Sequence, residues 1–215
     1  MRRRLLTAVL LAAIGSVLAP TMAQARTLSE GMCGTAVHRL QHRLVERSYL
    51  PDGYTPGCFD YRTTQAVMAL QGWVHLTRDG IAGPQTKAKL RASKTPRPWT
   101  GDRHFRHIEI HKGRQVMLIV GKLGRVLRAI HVSTAGPGHV TPVGHFRVYA
   151  KSRMSWSTLF HVWLPWANYI HGGIAIHGFA SVPGVPASHG CIRVPMPEAP
   201  YVYARAKLNS PVWVR

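Results

Sequence analysis

Acidic residues are scarce in this 215-residue chain, which contains 8 Asp and Glu against 28 Lys and Arg. The resulting formal charge of +20 draws a protein toward polyanions by long-range attraction. The basic residues are nevertheless scattered, with no compact Lys/Arg run and no motif that reads a nucleic-acid groove. We therefore predict a polyanionic partner and no nucleic acid.

Long apolar runs are missing beyond the first residues of the chain. The segment MRRRLLTAVLLAAIGSVLAPTMAQA has three arginines, an apolar run and a small-x-small ending, which predicts a signal peptide over residues 1–25. An uncleaved anchor is the alternative, but a Gly-Ser pair interrupts the run, which is shorter than the ~20 residues that span a bilayer. We expect residues 26–215 to be secreted, extracytoplasmic and associated with cell-wall polymers.

Cysteines are few and odd in number: Cys33, Cys58 and Cys191. In an oxidising compartment one of three must stay free or pair between chains. The first two lie in the same half of the chain, so we predict a Cys33–Cys58 disulfide and a free thiol at Cys191. Closing a loop of this size stabilises a small domain by roughly 3 kcal/mol on the chain-entropy model.

Apolar spacing divides the chain into two parts. Residues 26–92 show the helical period, with apolar residues at i, i+3 and i+7 in VHRLQHRL and VMALQGWV and a third helix starting near Pro84. A proline-rich linker is predicted at 93–103. Residues 104–215 alternate with period two in HIEIHKGRQVMLIV, RVLRAIHV, GHFRVYA and GIAIHG, which predicts a mostly antiparallel β domain with one or two short helices, one at 198–208.

The stretch SHGCIRV raises the question of what Cys191 does. In an extended segment Cys191 and Arg193 share one face, and the alternation in GGIAIHG sets His177 opposite two isoleucines. A thiol on a polar, glycine-flanked face is typical of a nucleophile activated by an imidazole, which either His177 or His189 could supply. The alternatives are an inert buried cysteine, a zinc ligand with nearby histidines, or an intermolecular disulfide.

A carboxylate to orient the histidine is missing near these motifs. The second half contains only three acidic residues, Asp102, Glu109 and Glu198, and none adjoins the Cys191 or His177 segment. We therefore expect a backbone carbonyl to orient the catalytic histidine.

Three blocks of the first half, GTAVHRLQHRL, GCFDYRTTQAVMALQ and DGIAGPQTKAKL, resemble the peptidoglycan-binding domain type 1. They occur in the family's order over about residues 30–92. The resemblance implies binding to glycan-peptide wall material, without assigning a binding residue. The alternative is that this unit only packs against the second half.

The segments TPVGHF, AIHG and SHGCIRV resemble the L,D-transpeptidase (YkuD-type) catalytic domain, over about residues 104–215. The resemblance implies a β-sandwich in which Cys191 is the nucleophile and His177 the general base and acid. It implies that the Gly178 carbonyl orients His177. Support of the substrate or the oxyanion is implied for the remaining motif residues: Ser188, His189, Gly190 and Arg193.

The implied activity is acyl transfer from a peptidoglycan stem tetrapeptide, through a cysteine thioester, to form a 3→3 crosslink. The partners are stem peptides and wall polymers, and no cofactor or metal is expected. Alternatives on the same fold are an L,D-carboxypeptidase that uses water as acceptor, or a transpeptidase that attaches a wall protein or exchanges a D-amino acid. A non-catalytic wall-binding protein is the alternative of another class.

Overall fold

The computed structural model describes residues 27–99 and 105–215. The predicted signal peptide, residues 1–25, and residues 100–103 of the predicted linker lie outside the described residues. Within these two ranges, no helix has both the length and the apolar character needed to cross a bilayer.

The first part of the chain contains the three expected helices. They are α1 Thr35–Glu46, α2 Tyr61–Trp73 and α3 Pro84–Ala92. The predicted disulfide is present: Cys33 and Cys58 are joined, which ties the segment before α1 to the segment before α2. This crosslink fixes the two longest helices relative to each other in a small unit.

Apolar spacing and capping explain the positions of these helices. The i, i+3, i+7 set of α1, Val37, Leu40 and Leu44, is buried as the pattern predicts. Helix α2 begins after Asp60, whose carboxylate accepts a hydrogen bond from the Thr63 N–H at 2.9 Å. This N-cap satisfies an amide that has no partner within the helix.

The second part of the chain is a two-sheet β structure with one helix. The first sheet has the strand order β3-β2-β1-β9-β4 and the second β5-β6-β7-β8. Pairing is antiparallel except between β1 and β9 and between β7 and β8. The strands are β1 His107–His111, β2 Val116–Val120, β3 Val126–His131, β4 Gly144–Arg147, β5 Ala150–Ser157, β6 Val162–His171, β7 Ile174–Phe179, β8 Ile192–Pro195 and β9 Pro211–Val214.

These elements confirm the predicted fold class, a small helical domain followed by a mostly antiparallel β domain. The fourth helix, α4 Ala199–Arg205, lies within the predicted helical segment 198–208. The long hairpin of β5 and β6 has no counterpart among the predicted strands, because its alternation mixes serine, proline and exposed tryptophan.

The two sheets pack face to face over one apolar core. Ile110 and Met117 of the first sheet and Ile176, Ile192 and Val194 of the second are all buried in it. This packing places β7 and β8 with one face against the core. Their other face is therefore available for polar side chains.

A second core is shared between the helices and the outer face of the first sheet. Val116, Leu118 and Val120 of β2 belong to the same buried cluster as Leu44 and Leu70 of the helices. The strand β2 is apolar at every position, so both of its faces need cover, and the helical unit covers one of them. The helical and β parts of the chain therefore share one of the two main apolar cores.

Candidate active site

Two parallel neighbouring strands bring the predicted reactive residues together. Strands β7 and β8 pair so that His177 lies opposite Arg193 and Ile176 opposite Ile192. Ile176 and Ile192 enter the inter-sheet core. Because side chains alternate along a strand, His177 and Arg193 project from the other face, and Cys191 immediately before β8 joins them.

A cavity of about 180 Å³ lies over this face. Five of the predicted site residues line it, namely His177, Ser188, His189, Cys191 and Arg193; the other lining residues are Ser157, Phe160, Val162, Leu164, Gly173 and Phe179. None of the lining side chains is acidic. Across residues 27–99 and 105–215, no group of three or more His, Cys, Asp or Glu is placed to hold a metal ion.

The Cys191 thiol is largely shielded from water and has few polar neighbours. Its Sγ accepts a hydrogen bond from the Ala175 N–H at 3.5 Å. Burial raises the pKa of the Cys191 thiol, while the Ala175 amide and the Arg193 charge oppose this rise. Burial therefore favours the neutral form of the thiol in the ligand-free protein.

The His177 imidazole is buried and held in one orientation. Its Nδ1 lies 2.9 Å from the Gly178 carbonyl oxygen. A carbonyl oxygen only accepts, so Nδ1 carries the proton and the neutral ring leaves Nε2 free to take one. The pKa of His177 is lowered to about 4, chiefly by burial; the hydrogen bond to the Gly178 carbonyl opposes this shift, and the Arg193 charge adds to it.

The turn before Cys191 is fixed by buried hydroxyl groups. Gly190 adopts a φ of +141°, a conformation that residues with a side chain rarely adopt. The Ser188 hydroxyl accepts from the Gly190 N–H at 3.1 Å and donates to the Cys191 carbonyl at 2.5 Å. The Thr141 hydroxyl donates to the Gly190 carbonyl at 2.8 Å and accepts from the Ala135 N–H at 3.0 Å.

His189 and Arg193 occupy different depths of the cavity. The exposed His189 ring lies between two aromatic neighbours, stacked on Phe160 at 4.5 Å and edge-on to His139 at 4.4 Å between ring centroids. The Arg193 guanidinium lies 4.2 Å above the ring of Phe179. Of the two histidines that the residues alone left as candidates, His177 is therefore the buried and oriented one.

The helical unit holds the connecting loop, residues 180–187, which joins β7 to the Ser188 turn. The Tyr61 hydroxyl donates to the carbonyl of residue 180 at 3.2 Å, and the Gln65 amide donates to that of residue 182 at 3.2 Å. The Arg78 guanidinium donates to the Gly184 carbonyl at 2.6 Å. The helices therefore contact the chain segment that links His177 to Cys191.

Two features of the site were not assigned by the sequence. Thr141 was part of the TPVGHF segment, but only the structure shows its hydroxyl beneath the Cys191 turn. Phe160 comes from the tip of the β5–β6 hairpin, which no sequence pattern predicted. The Thr141–Pro142 pair could have drawn attention to Thr141. Nothing in the sequence of the hairpin pointed to Phe160.

Two family models match the chain. Residues 105–214 match the L,D-transpeptidase catalytic domain, YkuD, and residues 33–90 match a putative peptidoglycan binding domain. The chain belongs to the YkuD L,D-transpeptidase family. The helical match accounts for the three helices that precede the YkuD domain.

Solved structures of L,D-transpeptidases share this two-part architecture. The L,D-transpeptidase of Xylanimonas cellulosilytica (residues 123–326) is 32% identical with a TM-score of 0.82, over 88% of this chain and 98% of that one. The L,D-transpeptidase of Stackebrandtia nassauensis is 20% identical with a TM-score of 0.54, over 87% of this chain and 94% of that one, which shows the fold alone.

One curated relative shares only a short segment. A probable N-acetylmuramoyl-L-alanine amidase from Bacillus licheniformis is 38% identical over 68 residues. The shared segment makes up 31% of this YkuD-family chain and 19% of the amidase, so the chain spans about a fifth of that relative.

Proposed function

We propose that this protein is a secreted L,D-transpeptidase that forms 3→3 crosslinks in peptidoglycan by acyl transfer through Cys191. One observation supports the proposal above all. Cys191 and His177 line a single acid-free cavity, and the Gly178 carbonyl holds the imidazole with Nε2 free to accept a proton. The family assignment of residues 105–214 agrees with this chemistry.

In the first half-reaction, Nε2 of His177 takes the thiol proton as Sγ of Cys191 attacks the carbonyl carbon of the third residue of a stem tetrapeptide. The bond from that carbonyl to D-alanine then breaks. The departing D-alanine nitrogen takes the proton from His177, and the donor peptide remains as a thioester on Cys191. One amide bond is lost, and one thioester bond is gained.

In the second half-reaction, the side-chain amine of the diamino acid in another stem attacks the thioester. His177 takes a proton from the attacking nitrogen and returns it to the sulfur as the carbon–sulfur bond breaks. A 3→3 amide and a free thiol result. The two half-reactions together exchange one amide bond for another, and no cofactor is consumed.

The remaining polar groups of the cavity have supporting roles in this proposal. The Gly190 N–H already donates to Ser188, so we assign the neighbouring Cys191 N–H as the donor for a tetrahedral oxyanion. Arg193 offers a planar fork of donors for the carbonyl or carboxylate groups of the stem. His189, at the mouth with Phe160, is placed to contact the stem outside the reacting bond.

In this proposal, the helical part and the N-terminal segment determine where the enzyme acts. We assign residues 26–92 to wall binding, 93–103 to a linker, and 104–215 to catalysis. The signal peptide at 1–25 directs export, and the Cys33–Cys58 disulfide is suited to an oxidising compartment. In this proposal, export and wall binding bring the enzyme to the cell wall, next to its substrate.

The products formed from purified disaccharide-tetrapeptides test the reaction type. We expect mass spectrometry to detect dimers joined 3→3, with one D-alanine released for each dimer. Tripeptides and free D-alanine without dimers would instead indicate a carboxypeptidase on the same residues. Wall binding with no D-alanine release from the folded protein would contradict the enzymatic proposal.

A carbapenem gives a second test because it acylates thiol nucleophiles of this family. We expect the intact protein to gain the mass of one carbapenem, and peptide mapping to place the adduct on Cys191. The Cys191→Ala variant should gain no mass. An adduct that persists in this variant would assign the nucleophile elsewhere.

A further inference from the structure

Four consecutive backbone carbonyls of the connecting loop, those of residues 182–185, each accept a hydrogen bond from a side chain. The donors come from both parts of the chain and are, in the order of the carbonyls, Gln65, His131, Arg78 and Ser133. Within residues 27–99 and 105–215, no backbone N–H donates to any of these four carbonyls. Side chains therefore determine the shape of this segment.

The sequence of the segment explains why its partners are side chains. Residues 182–186 read VPGVP, and each proline lacks an N–H and keeps the residue before it extended. Regular backbone pairing cannot form over such a stretch. Its carbonyls need donors from elsewhere in the fold.

His131 is a buried histidine that the proposed reaction does not use. Its Nε2 lies 2.9 Å from the Pro183 carbonyl oxygen, and its Nδ1 lies 3.1 Å from the Gln115 carbonyl oxygen. Burial lowers the pKa of His131 to about 4, although both carbonyls oppose the shift, so the ring is neutral at pH 7 and carries one proton. The Gln115 carbonyl already accepts from the Val132 N–H at 3.0 Å, so we assign the ring proton to Nε2, which donates to Pro183.

Ser133 connects the loop to the strand that follows Cys191. Its hydroxyl donates to the Val185 carbonyl at 2.8 Å. Its backbone forms two hydrogen bonds with Arg193 of β8, at 3.1 and 2.9 Å. The next residue, Thr134, accepts through its carbonyl from the Ser188 N–H at 3.0 Å. One short segment after β3 therefore contacts the loop, the Ser188 turn and β8.

We propose that His131 and Ser133 are positioning residues of the candidate active site. By holding the connecting loop, they set where Cys191 lies relative to His177. The parallel pairing of β7 with β8 places His177 opposite Arg193 but begins after Cys191, which lies in the turn at the end of the loop. A displaced loop would move the thiol while both strands keep their register. This inference rests on the proposed function, which makes the placement of the thiol matter for the rate.

The proposal predicts an effect on kcat rather than on KM. Neither His131 nor Ser133 lines the catalytic cavity, so the contacts of the substrate stay unchanged. A displacement of about 1 Å can cost a reaction about 100-fold in rate. We expect His131→Leu, which removes the donor to Pro183, to lower kcat for D-alanine release about tenfold and to keep KM within about twofold of the parent value.

Two further substitutions at position 131 separate the hydrogen bond from packing. The amide nitrogen of His131→Gln can lie close to the place of imidazole Nε2, so this variant keeps a donor for Pro183 and should keep kcat within about threefold of the parent value. His131→Asn carries the same amide on a shorter stem that cannot reach Pro183, and should behave like His131→Leu. Equal kcat values for the Gln and Asn variants would overturn the role of this donor.

The matched control for lost stability is Gln41→Leu. It removes a buried amide that donates to the Cys58 carbonyl and the Thr63 hydroxyl and makes no hydrogen bond to the connecting loop. It should lower the unfolding midpoint and keep the parent kcat. If His131→Leu does not fold, Ser133→Ala, which loses a single oxygen atom, should lower kcat about threefold. A fall in kcat that Gln41→Leu shares, or the parent kcat in both Ser133→Ala and His131→Leu, would overturn the proposal.

Alkylation of Cys191 by iodoacetamide separates this proposal from the proposed reaction, because it needs no turnover. A displaced turn exposes the thiol, so the alkylation rate at pH 8 should rise at least about threefold in His131→Leu and stay at the parent rate in His131→Gln. Absence of D-alanine release by the parent protein would refute the proposed reaction, while this pattern of alkylation would still support the positioning of Cys191. Equal alkylation rates in His131→Leu and the parent protein would overturn the positioning.

Discussion

At the scale of single residues, the candidate nucleophile and base start as a neutral pair. Burial raises the pKa of the Cys191 thiol and lowers that of the His177 imidazole, so each is stabilised in its uncharged form. Proton transfer from sulfur to Nε2 must then accompany substrate binding or attack. In the proposed reaction, water exclusion by the bound stem and the Arg193 charge would both act on this step.

The first prediction concerns the pH dependence of thiol reactivity. Because the pKa of Cys191 is raised, the iodoacetamide alkylation rate should rise about tenfold per pH unit between pH 6 and 8. Mass spectrometry of time points gives the rate. A plateau from pH 5 to 8 would reveal a preformed thiolate–imidazolium pair and contradict the neutral pair.

The second prediction concerns Thr141. Thr141→Val removes the hydroxyl that joins the Ala135 N–H to the Gly190 carbonyl, leaving two buried polar groups without that partner. We expect a loss of about 1–3 kcal/mol in the free energy of unfolding, together with slower D-alanine release. Thr158→Val, at an exposed position in the hairpin, is the matched control and should change neither quantity. Unchanged activity in Thr141→Val would show that the Thr141 hydroxyl does not support the candidate site.

At the scale of elements, the alternation of residue types was enough to predict which strand face carries the candidate site residues. Period two set Cys191 and Arg193 on one side and Ile192 on the other, and the register of β7 and β8 confirms this. The pairing of β7 with β8 could not be predicted from the sequence, because a parallel pair depends on the path of the chain between the two strands. The carbonyl contacts that hold the connecting loop were hidden for the same reason.

The third prediction concerns that loop. A Cβ on Gly184 would lie 2.0 Å from the Arg78 carbonyl oxygen, so Gly184→Ala must push the connecting loop away from the helical unit. We expect a loss of about 1–3 kcal/mol in the free energy of unfolding and a lower kcat. Gly113→Ala is the control, because a Cβ there meets no atom within 4 Å. Equal behaviour of the two variants would show that the loop contact does not influence the site.

At the scale of the whole molecule, the helical and β parts are joined by packing as well as by sequence. Val116, Leu118 and Val120 of β2 are buried under the helices, and Ser48 accepts from the Ala129 N–H through its carbonyl at 2.8 Å. Two domains connected only by a linker would be free to move apart. The one sign of this packing in the sequence is the fully apolar strand VMLIV, because such a strand needs cover on both faces.

The fourth prediction follows from the shared core. Unfolding in denaturant should give one transition, with coincident midpoints by tryptophan fluorescence and far-ultraviolet circular dichroism. Removal of residues 27–99 should expose the outer face of β2 and cause aggregation of the β part. Two separate transitions, or a soluble and folded β part, would contradict a common core.

The central claim is that Cys191 is the nucleophile, and the rate of D-alanine release by Cys191→Ala tests it most directly. With purified disaccharide-tetrapeptides, we expect this variant to be slower than the parent protein by at least about 1,000-fold and to form no 3→3 dimers. Its unfolding midpoint and its binding to sacculi should match those of the parent. Release of D-alanine at more than about a tenth of the parent rate would contradict the claim.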